Sequence, residues 1–163
     1  MRKCENITYV PAEVLFDTME QMLLEGYDAE FTVTGNSMWP FLSHNRDRVV
    51  LRHCAPGELK RGEIVLYCPT PGHFRLHRID AVRKDRFRLV GDGNCSIDGY
   101  FEAACVIGRV VRFTRKNKCV DTDQFTYRFL SWLWMLLYPV RPWILRILRV
   151  LVKWKKQVTK GGN

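Results

Sequence analysis

Apolar positions along the chain follow a helical spacing first and a strand-like alternation afterwards. Over residues 12–26 the apolar residues fall on one face of a predicted helix: Val14, Leu15, Met19, Met22 and Leu23. Gly26 supplies the stop of this helix. Between residues 30 and 120, Pro, Gly, Asn and Asp separate six short β-rich segments: FTVTG, DRVVLR, EIVLYC, FRLHRI, FRLV and VIGRVVRF. This pattern predicts a mainly β fold, either a mostly antiparallel sheet or a small barrel, preceded by a short helix.

The chain becomes apolar and basic after residue 124. Residues 125–163 hold 8 Lys or Arg and no acid, together with four of the five tryptophans. Residues 129–140 form an apolar run which, as a helix, is about 18 Å long and therefore too short for a bilayer core of about 30 Å. The segment that follows carries basic residues at steps of three or four: Arg146, Arg149, Lys153 and Lys156.

These features predict a two-part chain, with a β domain over residues 1–124 and a helical tail over residues 125–163. A helix with apolar faces, tryptophans and one basic face is typical of the surface of an anionic membrane, so we expect the tail to lie there without spanning it. Two alternatives stay open: the apolar side packs on the β domain or a partner protein, or the segment 139–142 turns a short re-entrant hairpin.

The charge outside the tail argues against nucleic acid as a partner. Before residue 125, 18 basic residues meet all 17 acidic ones, so the β domain is nearly neutral. Only about 30 residues precede the first strand, and these carry seven acids against two bases, which does not fit a helix-turn-helix. The amino end lacks the apolar run of a secretory signal. Together with the tail, this predicts a membrane-associated protein at the cytoplasmic face.

Six cysteines at wide, irregular spacings contain no CxxC pair and are interpreted as free thiols. No cofactor or metal is expected. A zinc site would need ligands from a scattered set, namely His53, Cys54, Cys68, His73 and His77. Only His73 and His77 have a tight spacing, and on a strand they would lie about 13 Å apart.

Four polar residues of the β segments together supply the groups of nucleophilic catalysis. Ser37 follows a glycine turn, His77 lies in a strand segment, and Asp92 and Asp98 fall in loop-like sequence. A serine hydroxyl needs a neighbouring base, and a histidine can take that proton while a carboxylate fixes its tautomer. From the residues alone, either aspartate could fill the third role.

The same residues lie in four sequence boxes that resemble the signal peptidase I and LexA-like serine peptidase superfamily. The four boxes are GNSMWPFLSHNRDRVVL, RGEIVLY, RLHRI and VGDGNCSID. They follow the family's order, and with the closing strand VIGRV the resemblance covers residues 31–112. The pattern G-x-S-M-x-P is similar to the family's serine box. A histidine in the third box is similar to the endoplasmic-reticulum and archaeal type, in which His replaces Lys as the base.

The resemblance implies a LexA-like or signal-peptidase-like β-barrel-type domain that works as a serine endopeptidase on a precursor or leader peptide. It implies Ser37 as nucleophile, His77 as general base, Asp98 as orienting acid and Asp92 as support of the site loop. The sequence departs from the family at Arg46, which replaces a glycine, and in lacking an amino-terminal membrane helix. A catalytically inactive binding or assembly module at the membrane is the alternative function.

Overall fold

The computed structural model describes residues 12–116 and 118–160, which form three α-helices and eight strands. The elements in chain order are α1 (Ala12–Leu24), β1 (Ala29–Thr32), β2 (Arg48–Arg52), β3 (Ile64–Thr70), β4 (His73–Arg83), β5 (Arg86–Val90), β6 (Ile97–Glu102), β7 (Val106–Arg115), β8 (Lys118–Asp121), α2 (Phe125–Leu136) and α3 (Arg141–Lys160). Helix α1 ends two residues before the predicted stop at Gly26, whose φ of 90° makes the turn that follows.

The strands form one antiparallel sheet, which confirms the predicted mainly β class with a short helix before it and helices after it. The strand order is β1-β2-β7-β3-β4-β5-β6, and β8 pairs with β7. Strands β1 and β6 do not pair with each other within the described chain, so the sheet is open and not a closed barrel.

Two of the eight strands, β6 and β8, were absent from the segments predicted as strands. The sequence interpretation treated Asp98 as a loop acid, and Asp and Gly are both rare in strands. In the structure, Gly99 has a positive φ of 114° within β6. Strand β6 pairs with β5 along its length all the same, and Asp98 is therefore a strand residue, not a loop acid.

Two apolar clusters hold the sheet. The larger one joins α1 to strands β1, β2, β3 and β7 and is anchored by Met19 and Leu23, which are almost fully buried. The smaller one lies around Tyr67, Ile79 and Phe87. Neighbouring residues of a strand point to opposite faces, so His77 and Arg78 on β4 are directed to different sides of the sheet.

Helix α2 is packed against the β domain by one face. Tyr127, Ser131, Trp134 and Met135 are buried along that face. This face of α2 therefore packs on the β domain, which was one of the alternatives for the tail. No helix of the described chain, residues 12–116 and 118–160, has the length and apolar character to cross a membrane.

Candidate active site

A groove of about 270 Å³ lies where the Ser37 turn meets strands β4 and β6. Its lining combines apolar and polar side chains: Val33, Thr34, Ser37, Met38, Phe74, Arg75, Leu76, His77, Asn94 and Asp98. Three of the four predicted site residues therefore share one groove. Of the described residues that line it, none is a lysine, so the base available in this groove is a histidine.

The Ser37 turn is fixed by a close approach to the loop that follows β5. Gly93 donates its N–H to the Ser37 carbonyl at 2.7 Å. A Cβ on Gly91 would lie 2.6 Å from that carbonyl oxygen, and one on Gly93 would lie 2.7 Å from the Asn36 oxygen. Only glycine permits this approach, which explains the two glycines around Asp92. Met38 is buried beside the serine.

His77 is buried on β4 and held by two partners. Its Nδ1 is hydrogen-bonded to Asp98 Oδ2, and the Tyr67 hydroxyl lies 3.2 Å from the same nitrogen. The Tyr67 hydroxyl also donates to Asp98 Oδ2 at 2.8 Å. With Nδ1 engaged in this way, Nε2 is the ring nitrogen left for proton transfer.

A β-bulge directs Asp98 toward His77. Leu89 pairs with Gly99 and Val90 with Ile97, so Asp98 is the extra residue between two ladder pairs. A bulge re-aims the side chain of the extra residue. The irregularity that obscured β6 in the sequence is therefore the feature that brings the carboxylate to the histidine.

Burial changes the proton affinity of these groups. It lowers the pKa of His77 below its ordinary value, and the Asp98 carboxylate opposes this effect without cancelling it. Burial, together with the hydrogen bond to Asp98, raises the pKa of Tyr67, which therefore stays a hydrogen-bond donor. The imidazole is consequently neutral near pH 7, which is the form that can accept a proton.

Ser37 is half-buried, and its hydroxyl makes no hydrogen bond to His77 in the part of the chain that the structure describes. Both side chains nevertheless line the same groove. Hydrogen bonds of this kind are often long before substrate binds, so the shared groove is the relevant geometry.

Asp92 lies in a different, fully buried pair. Arg78 donates to both of its carboxylate oxygens, from Nε at 2.9 Å and from Nη2 at 2.6 Å. The same guanidinium donates to the Gly62 carbonyl at 2.7 Å and to the Ser131 hydroxyl on α2. Burial lowers the pKa of Arg78, but Asp92 outweighs this and raises it overall. Asp92 thus joins the site loop to β4 and α2, and it is not among the described residues that line the groove.

Arg46, which stands where the resembled family has a glycine, has a local structural role. Arg46 donates to both oxygens of Asp47, at 2.7 Å each, and Asp47 is fully buried and accepts the Ser43 N–H at 2.9 Å. The Arg46–Asp47 pair fixes the turn that leads into β2. Neither residue lines the groove.

A larger cavity, of about 460 Å³, lies elsewhere on the surface between β2, β7 and the start of α2. It is lined mainly by charged residues that pair with their neighbours, such as Arg112 with Asp121 at 2.8 Å. Among its described lining residues there is no serine, cysteine or histidine that could act as a nucleophile or base.

Tyr67 and Arg78 are the site residues that the sequence interpretation missed. Tyr67 lies in the apolar segment EIVLYC and looks like a core residue, and Arg78 follows His77 directly. A buried tyrosine requires a partner for its hydroxyl, and this is the one signal that could have drawn attention to it.

A metal site and similarity to known proteins were both considered for this groove and for the rest of the described chain. Within residues 12–116 and 118–160, no three His, Cys, Asp or Glu side chains are placed to hold one metal ion. Cys54, Cys68, Cys95, Cys105 and Cys119 are free thiols, and Cys4 lies outside the described residues. Comparison with protein-family models found no match, and comparison with curated proteins found none either.

Proposed function

We propose that this protein is a serine endopeptidase of the signal peptidase and LexA-like type, acting on a precursor or leader peptide. The observation that carries the proposal is a buried histidine held at Nδ1 by Asp98 and Tyr67, in the groove that Ser37 also lines. The open antiparallel sheet and the four ordered sequence boxes support assignment to this fold type.

In the proposed reaction, Ser37 Oγ attacks the carbonyl carbon of the scissile peptide while His77 Nε2 takes the hydroxyl proton. The C–N bond then breaks and the imidazolium returns the proton to the departing amine. A water molecule, deprotonated by the same nitrogen, hydrolyses the acyl-serine and restores both side chains. Asp98 keeps Nδ1 protonated, so Nε2 accepts in each half of the reaction.

Backbone N–H groups beside the serine are suited to the oxyanion of the tetrahedral intermediate. Ser37 and Met38 both line the groove, and no hydrogen bond from their backbone N–H groups is found in the described chain. An unpaired N–H in such a position typically contributes about 3–4 kcal/mol to the transition state. Apolar groove residues, Val33 and Phe74 among them, favour an uncharged substrate side chain beside the scissile bond.

A serine-reactive probe such as a fluorophosphonate tests this function. We expect the wild-type protein to be labelled and Ser37→Ala to stay unlabelled. Ser96→Ala is the matched control, because Ser96 is an exposed serine two residues before Asp98, and it should be labelled like the wild type. Absence of labelling in all three proteins would instead favour the inactive binding module.

The positioning residues should have graded effects on peptide cleavage. Asp98→Asn removes the carboxylate that fixes the tautomer, so we expect a loss of about 10³–10⁴-fold in rate. Tyr67→Phe removes one hydrogen bond and should cost about five- to tenfold. Without the tyrosine, Asp98 acts more strongly on His77 and raises its pKa, so the acid limb of the pH profile should move to higher pH.

Tyr100→Phe is the control for the Tyr67→Phe and Asp98→Asn variants, since Tyr100 is exposed and lies on the same strand as Asp98. Its cleavage rate should match that of the wild type. A fully active Asp98→Asn protein together with an inactive, folded Asp92→Asn protein would show that the roles of the two aspartates are reversed.

A further inference from the structure

Helix α2 has two apolar sides, and only one of them is used by the fold. The buried side faces the β domain through Tyr127, Ser131 and Trp134. The opposite side is a solvent-exposed stripe at helical spacing, with exposed fractions between 50% and 81%: Phe125, Phe129, Trp132 and Leu136. A helix that is apolar all round is normally buried on every side, so this stripe lacks a covering surface.

Helix α3 repeats this arrangement. Arg141 and Leu145 are buried, and Arg149, four residues further on, donates to the Gly93 carbonyl at 3.1 Å, so this side faces the β domain. The other side is a second exposed stripe, with exposed fractions between 59% and 67%: Trp143, Ile147, Val150 and Trp154. Eight large apolar side chains on two consecutive helices are therefore left to solvent.

The charge beside these stripes indicates what covers them. Residues 125–163 contain 8 Lys or Arg and no acid, and Arg146 and Lys153 lie along one edge of the α3 stripe. Lys156, part of the predicted basic face, has a side chain outside the described set. Two copies of such a tail would bring positive charges together, which disfavours self-association. An anionic surface neutralises them.

We propose that the two stripes form one docking surface, here called the tail surface, for a membrane that contains anionic phospholipid. The 20 residues of α3 make a helix about 30 Å long, with basic residues along its whole length, so it lies in the plane of the membrane. The tryptophans of the tail surface belong at the headgroup level, where the apolar part of an indole ring contacts lipid while its N–H group contacts water.

The tail surface is fixed relative to the groove by three polar contacts. Ser131 on α2 accepts from Arg78 and donates to the Gly62 carbonyl at 3.4 Å, and Arg149 on α3 contacts Gly93. Gly93 in turn binds the Ser37 turn. Membrane binding therefore holds the groove at the lipid surface, and this inference stands whether or not the groove is catalytic.

Flotation with vesicles tests the proposal on the full chain carrying Ser37→Ala, which prevents any hydrolysis. Vesicles of equal parts phosphatidylglycerol and phosphatidylcholine should bind the protein. Adding Trp143→Ser and Trp154→Ser should lower the affinity for these vesicles about 100-fold, because two indole rings are no longer transferred from water to the membrane on binding. Tyr27→Ser is the matched control: Tyr27 is 61% exposed and lies outside the tail, so affinity should not change.

A second pair of variants tests the charge. Arg146→Gln with Lys153→Gln should lower the affinity for the anionic vesicles by about 25-fold, because each basic residue near such a surface contributes about fivefold. These variants should leave binding to pure phosphatidylcholine vesicles unchanged. Both positions are exposed, so the fold should not be disturbed.

Three results would overturn the proposal. The first is a protein that does not float with anionic vesicles, and the second is binding that neither pair of variants weakens. The third is a lipid-free dimer that dissociates when Trp143 and Trp154 are replaced, which would assign the tail surface to a second copy of the chain. None of these outcomes bears on labelling of Ser37, so they leave the proposed peptidase function unaffected.

Discussion

Replacing His77 by alanine should slow peptide cleavage by a factor on the order of 10⁴ or more. The reason is that the groove offers no substitute for the imidazole: of its described lining residues, His77 is the one histidine, none is a lysine, and the carboxylate of Asp98 is engaged by Tyr67. Without it, the Ser37 hydroxyl would have to lose its proton to water, and the departing amine would receive none. The measurement is the cleavage rate of a peptide that the wild-type protein hydrolyses, followed by mass spectrometry.

The Ser37→Ala protein should lose activity to a similar extent, and the double variant should be little worse than either single one, because the two residues act as a unit. His73→Ala is the matched control, since His73 lies on the same strand but is exposed and outside the groove lining. Near-normal cleavage by His77→Ala would contradict the assignment and direct attention to a lysine such as Lys60 or Lys84.

Replacing Asp92 by asparagine should destabilise the protein by about 3–5 kcal/mol, a large share of the 5–15 kcal/mol typical of a domain. The variant leaves the Arg78 guanidinium, which is fully buried, without its counter-charge. For a chain of this size, the expected fall in melting temperature is about 10 °C. The site loop and the contact between β4 and α2 should loosen together, since Arg78 binds both.

Two controls separate the buried pair from charge effects in general. Asp121→Asn removes one partner of the exposed pair with Arg112 and should leave the melting temperature unchanged. Adding Arg78→Met to Asp92→Asn should recover part of the loss, because the uncompensated charge disappears. A melting temperature for Asp92→Asn within about 2 °C of the wild type would show that the pair does not hold the loop.

The sequence allowed Ser37, His77, Asp92 and Asp98 to be selected as one set because each lies in a short, characteristic box. Three of them line one groove, and this depends on two long-range contacts that no local pattern encodes. One is the docking of the Ser37 turn on Gly91 and Gly93, and the other is the bulge at Asp98. A bulge breaks the alternation on which strand prediction rests, so β6 was missed for the same reason that Asp98 reaches the histidine.

Tyr67 and Arg78 were missed for a different reason. Tyr67 lies in an unbroken apolar run and reads as a core residue, and Arg78 reads as an ordinary surface cation beside His77, so their polar ends carry no signal in the sequence. Their partners, Asp98 and Asp92, are 31 and 14 residues away. The tail shows the converse: its apolar and basic composition is plain in the sequence, but only packing shows which side of α2 is buried and which is exposed.

The rate at which a fluorophosphonate probe modifies Ser37, followed from about pH 4 to about pH 9, tests the activation of this serine by His77 most directly. Peptide mapping should place the adduct on Ser37. Because burial lowers the pKa of His77, the wild-type rate should rise with pH and reach its plateau through an acid limb below about pH 6.5. His77→Ala should react slowly and without that limb. An adduct on another residue, or equal rates for the wild type and His77→Ala at every pH, would contradict the proposed dyad.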